Sequence, residues 1–98
     1  MKLYNQFIIA YDISETKNRT KLFESLKDLG LISIQKSVMW GFLNKAEYNA
    51  AKREIKIYMD KNTDNVIISR IDLLNKKENE IFGNQQELLK LPERYEIV

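Results

Sequence analysis

The stretch Phe7-Ile8-Ile9-Ala10-Tyr11-Asp12, FIIAYD, decides how this chain folds. Its continuous apolar run is too short for a helix of its own, and its isoleucine and aromatic content suits a strand covered on both faces. Asp12 ends the run, and the polar link ISETKN leads into a helix whose apolar residues Leu22, Phe23, Leu26 and Leu29 recur on one side. Gly30 falls where a helix end wants a left-handed residue, and either Ser14 or Thr16 supplies the cap at its start.

From Leu31 to Leu43 the hydrophobic period changes to two, with Ile32, Ile34, Val38, Trp40 and Phe42 on one parity and Ser33, Gln35 and Ser37 on the other. The segment is long for one strand, so it is either two strands or one sharply bent strand. The break falls near Gln35, Lys36 and Ser37, although no Gly or Pro marks a turn there. Asn44 followed by Glu47 makes a capping-box start for a second helix. Tyr48, Ala51, Ile55, Tyr58 and Met59 form its apolar stripe, with Lys45, Lys52, Arg53 and Lys56 largely off it. The helix ends near Asp60, KNTDN turns the chain, and Val66 to Leu74 reads as another strand. After the loop NKKEN, Glu80 to Phe82 reads as a short strand ended by Gly83. QQELLKLPE reads as a turn or a short helical turn, and Tyr95 to Val98 has strand character.

The order strand, helix, strand, strand, helix, strand predicts an α+β, ferredoxin-like βαββαβ sandwich with helices on one face of a mostly antiparallel sheet. A chain of 98 residues suits one domain. The expectation is therefore a single domain over residues 1–98, with a tail from about residue 75 that carries an extra C-terminal strand. The other face of the sheet also needs a cover, and a second copy of the chain is the simplest one, giving a homodimer packed through the sheets.

Composition narrows the chemistry. There is no cysteine and no histidine, which removes disulfides, thiolate nucleophiles, histidine bases and thiolate zinc sites. Acid, base or metal chemistry falls to carboxylates, lysine, tyrosine, hydroxyls and water, and oxygen-only ligation favours Mg2+ or Mn2+. A net charge of +2 is an ordinary surface unless the basic residues cluster. No apolar run approaches the roughly 20 residues of a membrane span, and the N-terminal sequence lacks a cleavage site, so the expected location is the cytoplasm with no membrane partner.

Several ordered elements carry a resemblance. YDIS stands at Tyr11 to Ser14, Arg19 follows, the first helix runs to LGL at Leu29 to Leu31, and IQKSVMWGFL occupies Ile34 to Leu43. This set resembles the CRISPR-associated Cas two family. In that family the first strand ends in Tyr-Asp, an arginine opens the first helix, and a Gln-x-Ser-Val-x-x-Gly block follows, here Gln35, Ser37, Val38 and Gly41. The match spans roughly the first seventy residues.

The resemblance implies a homodimer that joins the Cas one integrase and holds the double-stranded prespacer DNA during spacer acquisition. It also implies a Mg2+-dependent (or Mn2+-dependent) endonuclease activity on RNA or double-stranded DNA, and a last strand that crosses to the partner's sheet. The alternative is a free-standing metal-dependent endoribonuclease or toxin-like module of the same fold, unrelated to CRISPR.

Residue by residue, Asp12 is the expected metal ligand and catalytic carboxylate, with an Asx turn as its plainer role. Ser37 is the second catalytic expectation, orienting a phosphate or a water, against a strand-end hydroxyl bonded to backbone. Lys17, Arg19, Lys21 and Lys36 are the expected nucleic-acid contacts if they share a rim, and ordinary solvated charges otherwise. Lys17 and Lys21 share a helix face, whereas Arg19 points elsewhere, with a local bond to an acidic residue as its other role. Trp40, Phe42, Tyr48 and Tyr58 have a periodicity that places them in packed layers and not on a base-stacking platform.

Overall fold

The computed structural model describes residues 3–83. Its elements are β1 (Asn5–Asp12), α1 (Thr16–Asp28), β2 (Ile32–Gln35), β3 (Val38–Leu43), α2 (Lys45–Tyr58) and β4 (Asn65–Arg70). The strands form one sheet in the order β2-β3-β1-β4, and every neighbouring pair is antiparallel. This is the ferredoxin-like arrangement, with β1 central, paired to β3 from Asn5↔Leu43 to Ala10↔Val38 and to β4 from Phe7↔Arg70 to Asp12↔Asn65.

Strand alternation sorts β1 between the two faces. Phe7, Ile9 and Tyr11 join Leu22, Leu26, Met39, Leu43, Ala51 and Ile55 in the core beneath the helices. Ile8 pairs with Trp40 on the second face, where Trp40 meets Phe42 edge-on at 5.8 Å between ring centroids. Trp40 is fully buried but stands apart from the helix-facing core. Tyr48 stacks on Phe7 at 4.9 Å, and Tyr58 and Met59 pack against the same core.

The two helices start differently. Asn44 and Glu47 exchange backbone and side-chain hydrogen bonds of 2.8 and 3.0 Å, so α2 has a complete capping box. In α1 neither Ser14 nor Thr16 is the cap: Glu15 holds that position with no side-chain bond to the helix. The Ser14 backbone N–H is drawn instead to the turn after α2. At the other end of α1, Gly30 takes φ 102 and donates to the Lys27 carbonyl while Leu31 donates to Leu26, the two bonds of a Schellman ending.

Leu31 to Leu43 is a hairpin of two strands, with Gln35 opposite Val38 and Lys36-Ser37 as its turn. Ser37 itself takes the positive φ, 61°, that a glycine would usually supply, which is why the sequence carries no turn signal there. Gly41 is needed for close approach, since a methyl there would lie 2.9 Å from Leu31 Cδ2 and 3.2 Å from the Gly30 carbonyl.

The strand expected to reach Leu74 ends at Arg70, where the pairing with β1 stops at Phe7. From there the Gln6 side chain directs the chain. Its Oε1 accepts from Leu73 N at 2.9 Å and from the Trp40 indole at 3.2 Å, and its Nε2 donates to Asp72 Oδ1 at 2.8 Å. Asn79 closes the loop by donating to the Asp72 and Asn75 carbonyls. Residues Glu80 to Phe82 are irregular, not a strand. The expected turn at QQELLKLPE and strand at Tyr95–Val98 lie outside the described residues. No helix among the described residues is long and apolar enough to cross a membrane.

Candidate metal and nucleic-acid site

Asp12 is the last residue of β1 and is exposed. Its flanks are set by the sheet. On one side it pairs with Asn65 of β4; on the other, Tyr11 N donates to the Ser37 carbonyl at 3.0 Å, bringing the hairpin turn alongside. Asp12 and Ser37 are thus neighbours at one end of the sheet. Nothing in the sequence spacing alone places them together, since Asp12 ends a strand that leads into α1 whereas Ser37 lies in the turn between β2 and β3.

The loop after Asp12 is held from both sides. Ile13 is buried among the core residues. Ser14 N donates to Asp64 Oδ1 at 2.9 Å, and Asp64 also accepts from Asp60 N at 2.9 Å and from the Thr63 hydroxyl at 3.1 Å. These donors, the Ser14 backbone N–H first, hold the Asp64 carboxyl below its ordinary value. From α1, Arg19 donates through Nη1 to the Ile13 carbonyl at 2.9 Å and through Nη2 to Thr16 Oγ1 at 3.1 Å. The acidic partner expected for Arg19 is replaced by these two neutral oxygens. The reason is reach: the side chain folds back over its own helix start, where the loop carbonyl points at it.

Arg19, Lys36 and Ser37 line one hollow of about 280 Å³ beside Tyr11, Thr20, Phe23 and Ser33. Lys17 and Lys21 are exposed on α1 and take no part in its wall. Burial raises the Tyr11 phenol pKa, and the Arg19 charge partly offsets that rise. Sequence reasoning missed Asp64, which stands in a stretch read only as a turn, and it missed Thr20 and Ser33, which carry no spacing signal toward Lys36.

Among the described residues no three acidic, histidine or cysteine side chains gather into a metal-binding group. At this end of the sheet one copy offers the Asp12 carboxylate together with hydroxyl and carbonyl oxygens, a donor set suited to a hard cation that keeps much of its water. A softer metal finds nothing here to prefer.

The family model described as CRISPR associated protein Cas2 matches residues 5–79, the span from β1 to the Asn79 loop. The chain belongs to the Cas2 family. Among its relatives, a CRISPR-associated endoribonuclease Cas2 of Francisella tularensis subsp. novicida is 37% identical over 90 residues, covering 92% of each chain. A protein of the same description from Methanospirillum hungatei JF-1 is 28% identical over 91 residues, covering 93% of this chain and 94% of its own. Among solved structures, a hypothetical protein of Thermus thermophilus superposes with a TM-score of 0.65 at 26% identity, over 70% of this chain and 83% of its own. Streptococcus pyogenes Cas2 superposes with a TM-score of 0.62 at 20% identity, over 80% of this chain and 99% of its own, and so speaks to the Cas2 fold alone. The family match covers Asp12, Arg19, Lys36 and Ser37 together.

Proposed function

We propose that this Cas2-family chain works in CRISPR spacer acquisition as a two-fold symmetric homodimer that cleaves nucleic-acid phosphodiesters with the aid of Mg2+ (or Mn2+). The same dimer would hold prespacer DNA against the Cas one integrase. One observation carries the cleavage reading: Asp12 is exposed at the end of a central strand, and among the described residues no three acidic groups gather into a metal-binding cluster in one copy. A two-fold axis near the sheet end would bring a second Asp12 carboxylate alongside, and two such groups would hold one hard cation. When bound, that ion supplies Lewis-acid stabilisation of the phosphodiester and a nucleophile at neutral pH.

The chain's own groups do the positioning. The hydrogen bonds from Ser14 and Arg19 fix the backbone that follows Asp12. Ser37 lies beside it as a hydroxyl able to orient a phosphate or a water. Arg19 and Lys36 supply sequence-independent phosphate contacts. Two relatives carry endoribonuclease in their descriptions, which favours RNA as the cleaved strand. Lys17 and Lys21 belong to the wider basic surface of a duplicated track along a duplex.

The test combines two assays on one set of proteins. Labelled RNA and duplex DNA are incubated with the protein and Mg2+, and the protein is mixed with the Cas one integrase and a short duplex for size-exclusion light scattering. Asp12→Ala should remove cleavage, by at least about 100-fold for loss of a metal-holding carboxylate, while the three-component assembly survives. Cleavage that persists in Asp12→Ala would refute the nuclease reading, and failure of the wild type to enter the assembly would refute the adaptation reading.

A further inference from the structure

We infer that Asp64 is a positioning residue for the Asp12 site: its carboxylate, taken up by surrounding N–H and O–H donors, fixes the backbone that aims the Asp12 carboxylate. This role rests on the reading above, in which Asp12 holds the cation, and it belongs to a residue that touches neither metal nor nucleic acid.

The register of the sheet puts Asp64 where it can act. Asp12 ends β1 opposite Asn65, the first residue of β4, so Asp64 stands one residue before the pair. From there its Oδ1 reaches beyond Asp12 and accepts Ser14 N at 2.9 Å. Each residue from Asp12 to Ser14 then has its own anchor. Asp12 is paired in the sheet, Ile13 is buried with its carbonyl taken by Arg19, and Ser14 is tied to Asp64. A carboxylate carried on backbone fixed at successive residues has less freedom to lose when it binds a cation. Asp64 is itself held in place, since its N–H donates to the Asp60 carbonyl at 2.8 Å.

The start of α1 does not supply this anchor by local capping. Glu15 holds the cap position with no side-chain bond to the helix, so no side chain at the cap steadies the loop from within. The hold comes from a carboxylate 50 residues away, on the turn that leads into the strand paired with Asp12. One element thus sets both the partner of Asp12 in the sheet and the path of the chain after it.

The same bonds separate Asp64 from the ligands. Its Oδ1 accepts from Ser14 N and the Thr63 hydroxyl, and its Oδ2 accepts from Asp60 N. These donors turn their positive ends toward any approaching cation, and Asp64 would have to give up the backbone N–H groups to coordinate one. Asp60 is engaged likewise, accepting from Asn62 N.

The experiment uses Mn2+ as the probe. Electron paramagnetic resonance of the free ion measures binding, and amide hydrogen exchange by NMR follows Ser14 without metal. Cleavage of labelled RNA is followed over a Mg2+ series, and light scattering gives the oligomeric state. The variants are Asp64→Ala, Asp64→Asn and Asp12→Ala, with Asn44→Ala as a destabilised control whose lost cap lies on α2. All are compared where circular dichroism shows a complete fold. Asp64→Ala should keep the wild-type oligomeric state, lose protection at the Ser14 amide and bind Mn2+ about 10- to 100-fold more weakly, the usual effect of removing a group that orients a metal ligand. Its cleavage should fall through kcat and a higher Mg2+ requirement, with KM for RNA unchanged. Asp64→Asn keeps an oxygen for Ser14 N and should recover most of the Mn2+ affinity. Asn44→Ala, remote from the site, should bind Mn2+ as the wild type does.

Wild-type Mn2+ affinity in Asp64→Ala would overturn the positioning role. An equal loss in Asn44→Ala would overturn it in favour of general stability, and an equal loss in Asp64→Asn in favour of charge. Loss of the wild-type oligomeric state in Asp64→Ala would assign the residue to assembly instead. Abolished binding in Asp64→Ala, as complete as in Asp12→Ala, would make Asp64 a ligand. If Asp12→Ala binds Mn2+ and cleaves as the wild type does, the metal reading itself fails, and the bond from Ser14 to Asp64 is structural only.

Discussion

Asp64 joins the α2–β4 turn to the loop after Asp12 with a single carboxylate, accepting the backbone N–H groups of Ser14 and Asp60 and the Thr63 hydroxyl. Those donors favour the charged form, and its pKa in the folded protein lies below the ordinary 3.8. The unfolded chain therefore binds the proton more readily. The stabilisation is complete above 3.8 and is lost as pH falls through the lower folded value. Asp64→Ala should lower the urea midpoint at pH 6, and the gap to wild type should close as pH falls well below 3.8. A gap of constant size across that range would mean that the contact does not depend on the charge. Tyr11 behaves in the opposite sense: burial raises its phenol pKa, so its contribution holds below the ordinary 10.0 and is lost as pH rises through the higher folded value.

At the scale of elements, legibility followed the locality of the physics. The capping box of α2 uses two side chains three residues apart, and it stands where the sequence places it. Asn44→Ala should cost about 1 kcal/mol, read as a lower midpoint in chemical denaturation with an unchanged slope; an unchanged midpoint would remove the box from the account of α2. The Gly30 ending of α1 was equally readable, because only a residue at ease with φ 102 fits there. The start of α1 was not, because Ser14 is claimed by a carboxylate 50 residues away. The hairpin boundary fell where the sequence placed it, near Gln35, Lys36 and Ser37, although no glycine marks it, because Ser37 itself accepts a left-handed conformation that serine seldom takes. The end of β4 was hidden by Gln6, whose side chain bonds the Leu73 backbone 67 residues on. The site divides in the same way. Asp12 was legible as the residue that closes an apolar strand, whereas the meeting of Arg19 with Lys36, and the grip of Asp64 on the loop, depend on tertiary contacts that no short-range pattern encodes.

At the scale of the whole molecule, the second face of the sheet decides what the proposed dimer can be. The loop hooked by Gln6 already accounts for Trp40, whose indole is bonded and which is fully buried in a single copy. The opposite end of that face is different. Ile67 pairs with Ala10, next to Tyr11↔Val66 and Asp12↔Asn65, and its side chain is 61% exposed. In the proposed dimer, a second copy seated there would cover Ile67 and draw the two Asp12 residues together in the same step, so that assembly and metal binding would share one determinant. Ile67→Asp should therefore convert a wild-type dimer to a monomer in sedimentation at micromolar concentration. Because Ile67 is exposed in one copy, the monomer should keep its fold, with a change in protomer stability within about 0.5 kcal/mol. Cleavage should disappear along with the dimer. A variant that stays dimeric would place the interface elsewhere, and a monomer that still cleaves would show that one Asp12 is enough.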